Sequence, residues 1–291
     1  MTDKSVSQLD AATSVADEDL LLLSVYSESY ISKHITFANF KAALSSKATK
    51  GFENLKLSAT GTNANVSVTA NKIMVTNASD LGAVLSSVSL TIATTASGAN
   101  GLDTGSAAYS TWYSVWVIYN GSSVAGLLST SATSPTLPTG YTYKARVGWI
   151  RTQSATNYYP LSFIQYGRTA QYKVAAGSNV TNAPIMISGS SGSVTTPTWT
   201  EQSVTNYVPT TAMAIRLVLF VPSPTAAMAA PNNAYGAYTS TSNPPPLVGR
   251  PYSGNYVVNI TGLFILESRN VYYASNCSTA GLACLGWEDN L

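Results

Sequence analysis

Apolar and polar residues alternate along much of this chain. Val66 and Val68 are interleaved with Asn65, Ser67 and Thr69, and Val84, Val88, Leu90 and Ile92 with Ser87, Ser89 and Thr91. Successive side chains of a strand point to opposite faces, so this pattern predicts antiparallel strands with one buried face. The run Trp112–Tyr119 is apolar on both faces instead, which predicts a central strand covered on each side. Asn120-Gly121 then supplies a tight turn into a partner strand from Val124 to Leu128.

Further strands are predicted over Tyr143–Arg151, Phe163–Val174, Met213–Val221, Tyr256–Leu266 and Val271–Ser275. In the third of these Met213, Ile215, Leu217, Leu219 and Val221 form one apolar face. In the fourth Tyr256, Val258, Ile260, Phe264 and Leu266 do the same, with Gly262 interrupting the face as an expected bulge. Gly189-Ser190-Ser191-Gly192-Ser193 reads as a loop. Many strands punctuated by Gly, Pro and Ser predict a mainly β body over residues 51–291, an antiparallel β-sandwich of jelly-roll character with a C-terminal tail.

Residues 1–50 differ from that body. Asp3, Asp10, Asp17, Glu18, Asp19 and Glu28 crowd into the first thirty positions, and Lys33, Lys41, Lys47 and Lys50 follow. Leu20–Tyr26 and Tyr30–Ile35 read as a hairpin across Ser27-Glu28-Ser29. A short helix is predicted next, with Thr36 as its N-cap and Phe37, Phe40 and Leu44 at helical spacing. A hairpin and one short helix bury too little surface to stand alone. Leu20, Leu22, Tyr26, Phe37, Phe40 and Leu44 are therefore the expected interface residues of a module completed by a neighbour.

Composition sharpens that expectation. The 291 residues are 45% hydrophobic but only 10% charged, ample for a core and sparse for an isolated surface, which predicts a homo-oligomer. A net charge of +2 with no basic run argues against nucleic-acid binding. The longest apolar runs fall short of a membrane-spanning helix, so no membrane insertion is expected. The start Met1-Thr2-Asp3-Lys4 lacks the basic-then-apolar order of a secretory signal, so synthesis in a reducing cytoplasm is expected. Cys277 and Cys284 have no ligand partners at zinc spacing and read as free thiols; neither metal nor cofactor is expected.

Candidate chemistry is thin. Glycoside hydrolysis needs two carboxylates flanking one bond, and between Glu53 and Glu288 the chain offers Asp80, Asp103, Glu201 and Glu267 without suggestive spacing. His34 is the sole histidine and falls in the predicted hairpin, and no Gly-x-Ser-x-Gly elbow or phosphate-binding glycine loop occurs. The expectation is binding rather than catalysis. Trp112, Trp116 and Trp149 are assigned to the core, and packing is also favoured for Trp199 and Trp287, the latter at a subunit interface. Glu288 and Asp289 are expected to form a salt bridge across that interface, to Arg250 or Arg269. Tyr235, Tyr238, Arg250 and Tyr252 lie in a long loop that reads first as an ordered inter-subunit loop or a mobile one; they are the candidates for a recognition surface because their rings and guanidinium suit stacking and hydrogen bonding.

Three patches carry a family likeness. Ser7-Gln8-Leu9-Asp10-Ala11-Ala12-Thr13, followed by an Asp-x-Leu-Leu element, the hairpin and a Thr-x-x-x-Phe helix start, resembles the N-terminal module of tailed-bacteriophage tail fibre and virion appendage proteins. Thr94–Gly105, Trp112-Tyr113 and Gly140–Trp149 resemble a block that recurs in such proteins, and Gly286–Leu291 resembles their ending. The resemblance implies a virion structural protein, trimeric, that docks on other virion proteins by residues 1–50 and presents its β-rich body to host-surface glycans. A head fibre or capsid-decorating protein and a polysaccharide-degrading tailspike enzyme are the alternative implications. Under the last of these, Asp103, Glu201 and Glu267 would supply the acids.

Overall fold

The computed structural model describes residues 20–24, 32–36, 51–251 and 256–291, with the backbone alone for 20–24 and 32–35. These residues form twenty strands and no helix, so the fold is mainly β. Two short strands, β1 (Leu20–Ser24) and β2 (Ser32–Thr36), pair antiparallel with Leu22 opposite His34. Thr36 closes β2; the helix expected beyond it lies outside the described residues.

The first part of the body contains β3 (Phe52–Glu53), β4 (Lys56–Ala59), β5 (Asn65–Thr76), β6 (Gly82–Ala93) and β7 (Gly101–Leu102). It continues with β8 (Trp112–Tyr119), β9 (Val124–Ser129) and β10 (Tyr143–Arg151). The second part contains β11 (Phe163–Tyr166), β12 (Thr169–Tyr172), β13 (Ile185–Ser188), β14 (Thr200–Ser203) and β15 (Ala212–Pro222). It ends with β16 (Ala227–Ala230), β17 (Leu247–Gly249), β18 (Val257–Ile265), β19 (Asn270–Ser275) and β20 (Gly281–Asp289).

One large sheet runs β18-β15-β20-β12-β11-β4-β5-β10-β8-β9-β7, with β13 added to β20 and both β3 and β6 added to β5. A second sheet has the order β14-β19-β16-β17. Among the named strands the β7–β9 pair alone is parallel. The two sheets share a core: Ile215, Leu217, Leu219 and Leu282 of the large sheet pack with Ala227, Leu247, Val271 and Tyr273 of the small one. That is the layered arrangement of a β-sandwich.

A second core forms where the large sheet turns over on itself. Strands β5 and β10 meet at a single register pair, Thr76 with Lys144, which makes a corner. Val66, Val88 and Ile92 on one side of it then pack against Val115, Val117 and Leu128 on the other. The layers approach closely at Gly126, where an added Cβ would lie 2.2 Å from Ile92 Cδ1.

Strand β8 is the central strand its composition predicts. It lies between β10 and β9, and Val115, Val117 and Ile118 are inaccessible to solvent. The one polar intruder, Ser114, lies 2.9 Å and 2.7 Å from the Ser129 and Ser131 carbonyl oxygens and accepts from Trp116 Nε1 at 2.7 Å. The turn after it spans four residues, because Tyr119 is paired with Val124. Asn120 Oδ1 accepts from Ser122 N at 3.0 Å and from Ser123 N at 2.7 Å, while Gly121 supplies φ +99°.

Elsewhere the pattern misleads. Phe163–Val174 is a hairpin rather than one strand, turned at Gly167 (φ +56°) and Arg168. Strand β18 pairs with β15 without a break, so Gly262 marks no bulge; its missing side chain makes room for Leu247, whose Cδ2 would lie 2.7 Å from a Cβ there. In β6 the buried face changes at Ser87 (φ +53°), so Leu85 is buried and Val84 is 47% exposed. A register shift between Ala212 and Ala214 turns Met213 outward from the face formed by Ile215, Leu217, Leu219 and Val221. The expected C-terminal tail is β20, hydrogen-bonded to both β15 and β12 inside the large sheet.

Candidate functional site

The segment between β16 and β17 is stapled to itself and to the body. Gly236 N donates to Asn243 O at 2.9 Å, Asn243 Nδ2 to Ala234 O at 2.7 Å, and Asn232 Nδ2 to Glu267 Oε2 at 2.8 Å. Tyr238 N donates to Val194 O at 3.1 Å, and its ring packs on Val194, Ala226, Met228 and Ala274 beside Trp199 and Val248. Trp199 Nε1 donates to Tyr235 O at 3.2 Å. Arg250 lies over the Tyr238 ring, with Cζ 5.0 Å from its centroid.

Tyr235, Tyr238 and Arg250 are thus brought together, and Trp199 joins them from the strand-bridging segment before β14. The rings are half-buried and Arg250 is exposed. Tyr252, the fourth predicted recognition residue, lies outside the described residues. Such a platform offers flat faces for stacking and a guanidinium for charged or hydroxyl-bearing groups; an exposed cation–π contact contributes about 0.5–1 kcal/mol to its rigidity.

The acids are spread over different elements. Asp103, just after β7, accepts from Thr136 N at 3.0 Å through Oδ2. Glu201 on β14 accepts from Asn270 Nδ2, and Glu267 after β18 accepts from Asn232 Nδ2. Each carboxylate holds a neighbouring segment in place. Asp80 sits at φ +58° in the turn between β5 and β6. No group of three or more His, Cys, Asp or Glu with metal-binding geometry occurs among the described residues.

At the docking candidates, Leu20 and Leu22 lie in β1, while Tyr26, Phe37, Phe40 and Leu44 lie outside the described residues. Trp287 belongs to the body's own core and not to a surface. It is 2% exposed, edge-on to Trp112 at 5.4 Å and to Tyr172 at 5.5 Å, and stacked on Phe163 at 6.4 Å. An aromatic ring so enclosed leaves no face for a partner.

Asp289, two residues on, also departs from expectation. Asp289 is buried and its Oδ2 accepts from Arg146 Nη1 of the same chain at 2.5 Å. Its Oδ1 accepts from Thr211 Oγ1, which in turn accepts from Trp149 Nε1 at 2.8 Å. Arg269 is occupied elsewhere, donating at 3.0 Å to the carbonyls of Val208 and Pro209, and burial lowers its pKa.

Both cysteines are free and buried. Burial pushes the Cys284 thiol up to about 12. At Cys277 burial raises the pKa, but hydrogen bonds from Thr225 and Thr279 and from the Thr279 and Ala280 backbone outweigh it and leave the net shift downward. A surface groove of about 330 Å³ runs past Phe52, Met74, Arg146, Arg168 and Leu291. Its guanidiniums donate to the chain's own carbonyls, Arg146 to Asn290 at 2.5 Å and Arg168 to Leu291 at 2.6 Å. No helix among the described residues is long and apolar enough to cross a membrane. No family model, no curated protein and no solved structure matches this chain.

Proposed function

We propose that this chain is a bacteriophage virion appendage of the tail-fibre type, which docks on the particle through residues 1–50 and binds the host surface with its β-rich body. The observation that carries the binding half is the stack of Arg250 on Tyr238, set in a loop whose own hydrogen bonds hold it against the body. A recognition surface gains affinity when its groups are ordered before the ligand arrives. The sequence likeness over Ser7–Thr13, Thr94–Gly105 and Gly286–Leu291 supports the virion half. In this reading the body is a jelly-roll-like sandwich, three copies assemble, and weak contacts to surface glycans are multiplied by repetition.

The test is attachment of fluorescently labelled full-length protein to host cells. Arg250→Ala, at an exposed side chain, should lower attachment at least several-fold while melting as the parent protein does, and Tyr238→Ala, which also removes packing on Val194 and Met228, should lower it at a temperature where the variant is still folded. Attachment that is unchanged in the double variant would remove Tyr238 and Arg250 from the binding surface.

A further inference from the structure

Strand β18 ends the path of the large sheet, and among the described residues it pairs on one side alone, with β15. The register identifies which backbone groups face the empty side. Ser223 N donates to Tyr256 O and Leu266 N to Met213 O, both at 2.9 Å, at the two ends of an unbroken antiparallel ladder. In such a ladder bonded and non-bonded positions alternate. The even-numbered residues of β18 are therefore bonded to β15. Val257, Asn259, Thr261, Leu263 and Ile265 direct their N–H and C=O away from it.

Those same five residues are the exposed ones, with Val257 at 57%, Leu263 at 47% and Ile265 at 74%. Natural sheet edges are blunted by charge, proline, bulges or shortness. Strand β18 has nine residues, Val-Val-Asn-Ile-Thr-Gly-Leu-Phe-Ile, with no charge, no proline and no register shift. Leu247 seated on Gly262 and the burial of Phe264 hold it against the body as a ready template.

We infer that β18 is a pairing edge for a second copy of this chain, joined antiparallel about a two-fold axis at Thr261. That axis places Val257 opposite Ile265, Asn259 opposite Leu263 and Thr261 opposite its own copy, all in the hydrogen-bonding positions. The strand is self-complementary, because its apolar ends meet apolar ends and no charge faces a like charge. Arg216 sits on β15, opposite Leu263. Three strand spacings, roughly 14 Å, and a further offset of four residues along the strand separate it from its symmetry mate, beyond the screening length at physiological salt. A two-fold contact of this kind is independent of any three-fold assembly. Where both operate, the particle holds an even number of copies.

Mass measurement on the full-length protein, with 30.5 kDa per copy, reads this directly. Even-numbered species that dissociate on dilution are expected. Thr261→Pro removes an N–H aimed away from β15, a substitution that edge strands tolerate, and should weaken pairing by more than about tenfold. Leu263→Lys, on an exposed side chain, should do the same by charge. Hydrogen exchange adds a signature that no other contact would give. The amides of Asn259, Thr261 and Leu263 should lose protection on dilution, while those of Val258, Ile260 and Phe264 keep it. A mass of one or three copies, pairing undiminished in both variants, or protection of the odd-numbered amides that ignores concentration would each overturn the inference; the last would mean that the edge is covered by the chain's own residues.

Discussion

Arg146 on β10 and Asp289 on β20, 143 positions apart in sequence, meet at 2.5 Å with the carboxylate side chain 1% exposed. The contact joins the two parts of the body at a point where Thr211 and Trp149 complete the hydrogen bonding. Desolvating two charges is costly, so such a pair adds modest net stability, but removing one partner strands the other.

Arg146→Met should accordingly destabilise the protein by about 3–5 kcal/mol, and Asp289→Leu by a similar amount. The double variant should recover much of the loss. Urea unfolding of the three variants against the parent measures this, and strictly additive losses would show that the residues act separately.

Gly286 lies where β20 passes against β12, and a Cβ there would stand 2.1 Å from Ala170 O, a backbone atom with no freedom to yield. Gly286→Ala should cost about 3 kcal/mol or more. Gly51→Ala, with nothing within 4 Å of the new atom, should leave the unfolding midpoint nearly unchanged. Equal effects would contradict the placement of β20.

Cys284 gives a pH dependence whose sign follows from its raised pKa. In the unfolded chain the thiol ionises near its ordinary value of 9.0, whereas in the fold it stays protonated to about 12. Its contribution to stability is complete below pH 9 and declines as the pH rises toward 12, by up to about 1.4 kcal/mol per pH unit. Tyr172, whose pKa is also raised well above its usual value, chiefly by burial and then by the nearby Cys284, adds to the same alkaline loss. Stability measured from pH 8 to 11 should fall less steeply in Cys284→Ala than in the parent. Parallel curves would contradict the burial of this thiol.

Much of the strand layout was legible because burial leaves a trace in residue type. Trp112–Tyr119 has no polar face to show to water, so β8 had to be central, and Tyr143–Arg151 coincides with β10. Strand β20 was hidden for a physical reason. Most of its buried positions are filled by Gly281, Ala283, Cys284 and Gly286, small residues set among close neighbours, and Asp289, expected to bridge to another subunit, finds its partner in Arg146 of the same chain. The hairpin at Gly167 was masked because apolar residues continue on both sides of a two-residue turn. At the Tyr238–Arg250 cluster the sequence singled out the aromatic and arginine residues that the fold brings together. Trp199 was not singled out with them, since only the folded chain brings it under Tyr235.

Electron microscopy of intact particles, with the protein labelled by antibody, tests the proposed virion role most directly. Label is expected at a defined appendage for the full-length chain, and is expected to be lost when residues 1–50 are deleted from a still-folded body. Particles that carry no label, or that retain the truncated chain at the same position, would contradict it.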